Sequence, residues 1–190
     1  VRIDAGRFHF DPARDVGSTH ANGDRPALVF NRMSPSAWKR GPGHGILHTL
    51  HYLHYLDQAE IPVVNGARAF TVETSKALQV ALIQRQGLRA PRTRVVNHPT
   101  VLPAAARELV YPLVVKPNIG GSGTGIVRFD TAGDLEDAVA SGAIPPSVDG
   151  ILLLQESHAP AGDHIVRVET LASRVLYGIR VHLEPGAGYD

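Results

Sequence analysis

Cysteine is absent from the 190 residues. That excludes disulfides, thiolate zinc sites and a cysteine nucleophile, and it is compatible with the cytoplasmic location expected here. Long apolar runs are missing as well. The longest are a few residues, too short to cross a bilayer, and no signal peptide is visible, so no membrane partner is expected. An excess of one charge sign is also missing, with 19 Lys and Arg against 18 Asp and Glu and aromatics at only 6%. Near-neutral charge and few aromatic stacking platforms argue against a nucleic-acid partner. No internal repeat and no low-complexity tract occurs. Three sequence signatures are lacking too: a Gly-Lys-Ser/Thr phosphate loop, the His-Arg-Asp and Asp-Phe-Gly pair of protein kinases, and a nucleophile-elbow serine.

What is present centres on residues 111–130, YPLVVKPNIGGSGTGIVRFD. Leu113, Val114 and Val115 read as a short buried strand that ends at Lys116. Gly120, Gly121, Gly123 and Gly125 follow, and Ile126 to Phe129 form a second apolar run. The glycines therefore sit at the tip of a strand–loop–strand hairpin. A dinucleotide fingerprint would need them to open a helix. Glycine lets backbone approach a ligand closely, and successive amides in such a loop can cradle an anion. Ser122 and Thr124 add hydroxyls, and Lys116 adds a compact positive charge suited to phosphate.

The remaining chain alternates strands and helices. Residues 1–10 hold a possible strand and 11–25 a loop. Residues 27–30 read as a buried strand delivering Asn31 and Arg32, with Arg32 open between contacting substrate and capping a loop; 34–43 read as a Pro/Gly/Ser loop. The spacing predicts a helix over 45–58, with Ile46, Leu47, Leu50, Leu53 and Leu56 on one face and His44, His48 and His51 on the other. No carboxylate stands between those histidines, so the face is expected to hold no metal. A strand at 61–64 completes a parallel crossover unit. One continuous helix is predicted over 70–86, ended by Gly87, with Lys76 in its first half. A strand at 92–96, a short helix at 103–109, a helix at 132–141, a buried strand at 151–154, and an antiparallel hairpin of strands at 165–171 and 175–183 follow.

In this order the pieces resemble the ATP-grasp carboxylate–amine ligases, in the branch holding ribosomal-protein glutamate ligases and glutathione synthetases. Pro62-Val63-Val64-Asn65 resembles the end of the domain preceding ATP-grasp. Ser75-Lys76, Gly87 and Pro91-Arg92-Thr93 resemble the helix with the first nucleotide lysine and the strand after it. Residues 111–117 resemble the strand with the second lysine, 120–125 the flexible glycine loop, and Leu154-Gln155-Glu156 the hinge strand beside adenine.

The resemblance implies an α/β (α+β) ATP-grasp fold of two lobes with ATP between them. Part of a Rossmann-like preceding domain would occupy 1–68 and the ATP-grasp domain 69–190, with the glycine-loop lobe at about 95–150 and the first strands of the second lobe at 151–190. It implies ATP and Mg²⁺, with Lys76, Lys116, Gly120, Gly121, Ser122, Gly123, Thr124, Gly125, Gln155, Glu156, Ser157, His158 and Asp163 around the nucleotide. Leu153, Leu154 and backbone near Glu156 would hold adenine, and Asp163 would reach ribose. Arg167 and Arg180 would face the transferred phosphoryl group or the substrate carboxylate. The implied reaction joins a small-molecule or peptide carboxylate to an amine through an acylphosphate. A nucleotide-binding module without turnover is the alternative. One departure stands out: the family's metal ligands include a Glu-x-Asn triplet, whereas Glu184 is followed by Pro185 and Gly186. Those ligands are expected beyond Asp190, in a longer ligase of which this chain is a fragment.

Overall fold

A computed structural model describes residues 26–40, 43–121 and 123–182. The expected strand and loop within 1–25, residue 183 of the last strand, and Ser122 lie outside the described residues.

The first part of the chain is a parallel crossover. Strand β1 (Val29–Phe30) pairs in parallel with β2 (Val63–Val64), and helix α1 (His44–Gln58) connects them. The expected loop at 34–43 contains a 3-10 turn, Pro35–Arg40. On α1 the buried side chains are Ile46, Tyr52, Leu53 and Leu56, while Leu47 is exposed. The stripe is thus rotated toward Tyr52, and the outward side keeps His44 and His51 in solvent. These residues pack with Ile61 and Phe70 into one apolar cluster that also takes in Ile119.

The continuous helix expected over 70–86 is two helices, α2 (Ala67–Glu73) and α3 (Lys76–Arg85). The break is chemical. The Thr74 hydroxyl bonds back to the Phe70 carbonyl at 2.8 Å. Ser75 is extended, at φ −133°, and its side chain accepts from the Leu78 amide as an N-cap. Capping by serine competes well with helix continuation. Lys76 consequently occupies the first turn of a new helix rather than the middle of a long one.

The second part is a four-stranded antiparallel sheet in the order β3-β6-β4-β5. Its strands are β3 (Thr93–Val96), β4 (Leu113–Pro117), β5 (Val127–Phe129) and β6 (Leu152–Glu156). Alternation divides the side chains between two faces. Val96, Leu113, Val115, Phe129, Leu152 and Leu154 face helices α4 (Leu102–Ala106) and α5 (Ala132–Ala140), burying Leu102, Ala106 and Leu135. A capping box of Thr131 and Asp134 starts α5, and Gly142 at φ +71° follows its end.

Strand β6 lies between β3 and β4. Residues 152–156 thus share one sheet with β3, β4 and β5. On α2, Ala67 and Phe70 pack with α1. The final element is the hairpin β7 (His164–Leu171) and β8 (Arg174–His182). Its two-residue turn places Ala172 and Ser173 at φ +48° and +65°, the twist that tight hairpins favour.

Candidate nucleotide site

The β4–β5 connection forms as the sequence predicts, and its geometry explains the glycines. The Thr124 amide bonds to the Gly121 carbonyl at 3.3 Å and the Ile126 amide to the Gly123 carbonyl at 3.2 Å, so the loop is two interlocked turns. Gly125 is at φ +73°, and a Cβ there would meet the Pro117 ring at 3.2 Å. Gly123 also has positive φ. Gly121 lies against Ser36 of the 3-10 turn. Ile119, just before the loop, is buried with α1 and α2, which anchors the loop base to the first part of the chain.

Lys76 reaches that base from the start of α3. Its ammonium donates to the carbonyls of Pro117 (3.0 Å), Asn118 (3.2 Å) and Gly120 (3.0 Å). Asn118, only 4% exposed, ties the region together. Its Oδ1 accepts from the Ala77 amide at 3.0 Å and the Ser75 hydroxyl at 3.3 Å, and its Nδ2 donates to Asp149 at 2.6 Å. Asp149 in turn accepts from the Ser147 hydroxyl and the Ile151 amide. Sequence reading missed Asn118 and Asp149, which bond to each other across 31 residues of chain.

Lys116 stands on the sheet face opposite α4 and α5. Its ammonium donates to Gln155 Oε1 at 2.6 Å. Leu153 and Gln155 share this face by register, and both are buried. Burial pushes the Lys116 pKa down. Burial, reinforced by the charge of Lys116 and opposed by Asp149, lowers that of Lys76 from 10.5 to about 8. Among the described residues neither ammonium is ion-paired. Two partly buried, mutually repelling cations beside a glycine turn favour an incoming anion.

The other expected site residues divide. Leu154 faces the α4/α5 core, which leaves Leu153 as the leucine on the lysine face. The Glu156 side chain points toward α4, accepting from the Val110 amide at 2.9 Å beside Arg92. The amides of Glu156 and Ser157 are already committed to the Arg92 and Pro112 carbonyls. His158 is exposed. Asp163 accepts from ring nitrogens of His164 (3.0 Å) and His182 (3.2 Å), which hold its carboxyl below the usual range. Val166 pairs with Arg180 and Arg167 with Ile179, so the two arginines leave opposite faces of the hairpin. Among the described residues β7 and β8 pair only with each other, and the described contacts do not bring either arginine to the lysine pair. Arg32 is exposed.

Among the described residues no group of three His, Asp or Glu side chains could hold a metal ion. Among the same residues, no helix is long and apolar enough to cross a membrane.

A crossover unit feeds an antiparallel sheet, and over the described residues this is the fold of solved ATP-grasp ligases. No protein-family model and no curated protein matches the sequence. Solved ATP-grasp structures match its fold. A RimK domain protein from Sphaerobacter thermophilus is 17% identical with a TM-score of 0.59, covering 85% of this chain and 55% of that one. The ATP-grasp ligase PsnB, solved with Mg, ADP and a phosphomimetic variant of a minimal precursor, is 25% identical with a TM-score of 0.52, covering 82% and 52%. D-alanyl-alanine synthetase A from Vibrio cholerae is 16% identical with a TM-score of 0.58, covering 86% and 47%. This chain thus spans about half the length of the structures it matches.

Proposed function

We propose that this chain supplies the nucleotide-binding half of an ATP-dependent carboxylate–amine ligase. The observation that carries the reading is the convergence of Lys76 and Lys116 beside the 120–125 turn, without an ion-pair partner among the described residues. In this reading the polyphosphate lies along the lysine face of the sheet, under the glycine turn. Leu153 floors the adenine, and backbone after Glu156 meets its hydrogen-bonding edge. Ser122 and Thr124 are hydroxyl donors toward phosphate, and Asp163 is the group for ribose. Fixed positive charge and oriented donors stabilise the phosphoryl group as it transfers.

The reaction is attack of a substrate carboxylate oxygen on the γ-phosphorus, with departure of ADP. An amine nitrogen then attacks the acylphosphate carbonyl and expels phosphate. Either Arg167 or Arg180, on whichever hairpin face turns inward, serves the anionic substrate. The acid is a small molecule or a peptide. PsnB, a neighbour in fold, was solved with a peptide precursor.

Calorimetry with ADP tests the site. Lys116→Ala should bind about 10- to 150-fold more weakly, the worth of one charge-assisted phosphate contact at about 1.5–3 kcal/mol. A folded Lys116→Ala variant with unchanged affinity would remove Lys116 from the site. Binding without ATP-dependent ligation by the longer protein would favour the non-catalytic module.

A further inference from the structure

The sheet face under Lys116 carries a hydrogen-bond chain that runs across three strands. We infer that Thr93 is a positioning residue for Lys116, acting through the side-chain amide of Gln155 to aim the ammonium at bound phosphate. The inference rests on the nucleotide reading of Lys116 given above.

The chain starts at the edge strand. The Thr93 hydroxyl donates to the Pro91 carbonyl at 2.9 Å. Its oxygen accepts from Gln155 Nε2 at 2.8 Å, and Gln155 Oε1 accepts from Lys116 at 2.6 Å. Register places Thr93 directly opposite Gln155 across β3 and β6, and Lys116 diagonal to Gln155 across β6 and β4. All three side chains therefore stand on one face.

The direction of the chain follows from donor counting. A threonine hydroxyl has one proton, and here it is committed to Pro91. Toward Gln155 the hydroxyl is thus an acceptor only, and it selects the NH₂ end of the amide. That leaves the carbonyl end for Lys116. The flipped amide would set NH₂ against the ammonium, donor against donor, and oxygen against the lone pairs of Thr93. Gln155 is only 8% exposed, which limits the water available to replace a lost partner. Without the Thr93 oxygen, nothing on β3 distinguishes the two amide orientations, and Lys116 loses its fixed acceptor.

The test uses the full chain with Thr93→Val, which keeps volume and strand preference, and Thr93→Ser, which keeps the hydroxyl. The first readout needs no nucleotide: competitive acetylation of lysines with acetic anhydride, followed by peptide mass spectrometry. A freed Lys116 loses the bond that favours its charged form and should acetylate about 2- to 5-fold faster in Thr93→Val, with Thr93→Ser near wild type and Lys76 unchanged. The second readout is affinity. ADP should bind Thr93→Val about 3- to 10-fold more weakly while adenosine is unaffected, and Thr93→Ser should restore ADP binding. Wild-type Lys116 acetylation in folded Thr93→Val would overturn the inference. Altered acetylation in a chain that never binds ADP would uphold the positioning role and sink the nucleotide reading instead. If Thr93→Val does not fold, Thr93→Ala against Thr93→Ser makes the same comparison, and equal Lys116 acetylation in those two would overturn it.

Discussion

Raising the pH from 7 to 9 should switch off most of the charge that Lys76 offers a phosphate. Its pKa falls from 10.5 to about 8 because it is partly buried and faces Lys116. At pH 7 the ammonium is charged, and at pH 9 about nine-tenths of it is neutral. A pyrophosphate against the amine favours the charged form and returns the pKa toward its ordinary value. Binding at pH 9 then requires proton uptake, and ADP affinity should drop about tenfold between pH 7 and 9. The phosphate groups stay ionised over that range. Lys116, also lowered by burial, adds to the effect in the same direction. Adenosine, lacking phosphate, serves as the control and should bind equally at both values. The same lysine leaves a stability signature. Between about pH 8 and 10.5 the unfolded chain holds the proton and the folded chain does not, so stability rises with pH across that window. The full shift corresponds to at most about 3 kcal/mol, and solvent screening of a half-exposed group reduces this to about 1–2 kcal/mol. Tyr111, whose pKa is raised, opposes the rise above about pH 10. Calorimetric titrations with ADP and adenosine at both pH values decide the matter. Equal ADP affinity at pH 7 and 9 would refute the placement of Lys76 beside phosphate.

Asn118→Leu strands the Ala77 amide and one Asp149 oxygen in a partly buried setting, and should cost about 1–3 kcal/mol by thermal or urea melting. Gly125→Ala forces a Cβ against the Pro117 ring at positive φ, and should destabilise the chain by about 1–3 kcal/mol. Ile165, Val166, Val168, Val175 and Ile179 are all at least 40% exposed on the terminal hairpin. Val166→Lys with Val175→Thr should raise solubility without shifting the melt, and an unchanged aggregation threshold in light scattering would count against the hairpin as its source. His44, His48 and His51 should retain no stoichiometric zinc or nickel after dialysis, as read by elemental analysis.

Much of the fold was legible because short periodicities report local structure. The 111–130 hairpin, Lys116, the crossover unit and the terminal hairpin all lie where alternation, helical spacing and glycine placement put them. The break at Thr74-Ser75 was hidden. Its one local signal is a serine, and Leu78 at the third helical position supplies no reciprocal cap. The facing of Leu153 and Leu154 was hidden as well, because both are fully buried and an unbroken apolar run carries no alternation. The Asn118 links and the Thr93–Gln155–Lys116 chain join residues 31 to 62 positions apart, a separation no motif encodes. Opposite facing of Arg167 and Arg180 follows only from strand register.

The central claim is that Lys76, Lys116 and the glycine turn form one phosphate site. Acetylation footprinting of the full chain with saturating ADP or adenosine tests it most directly. The account predicts that ADP protects Lys76 and Lys116 together while adenosine protects neither and Lys39 is unchanged with both. ADP binding that leaves the acetylation of Lys76 and Lys116 unaltered would place the nucleotide elsewhere and contradict the account.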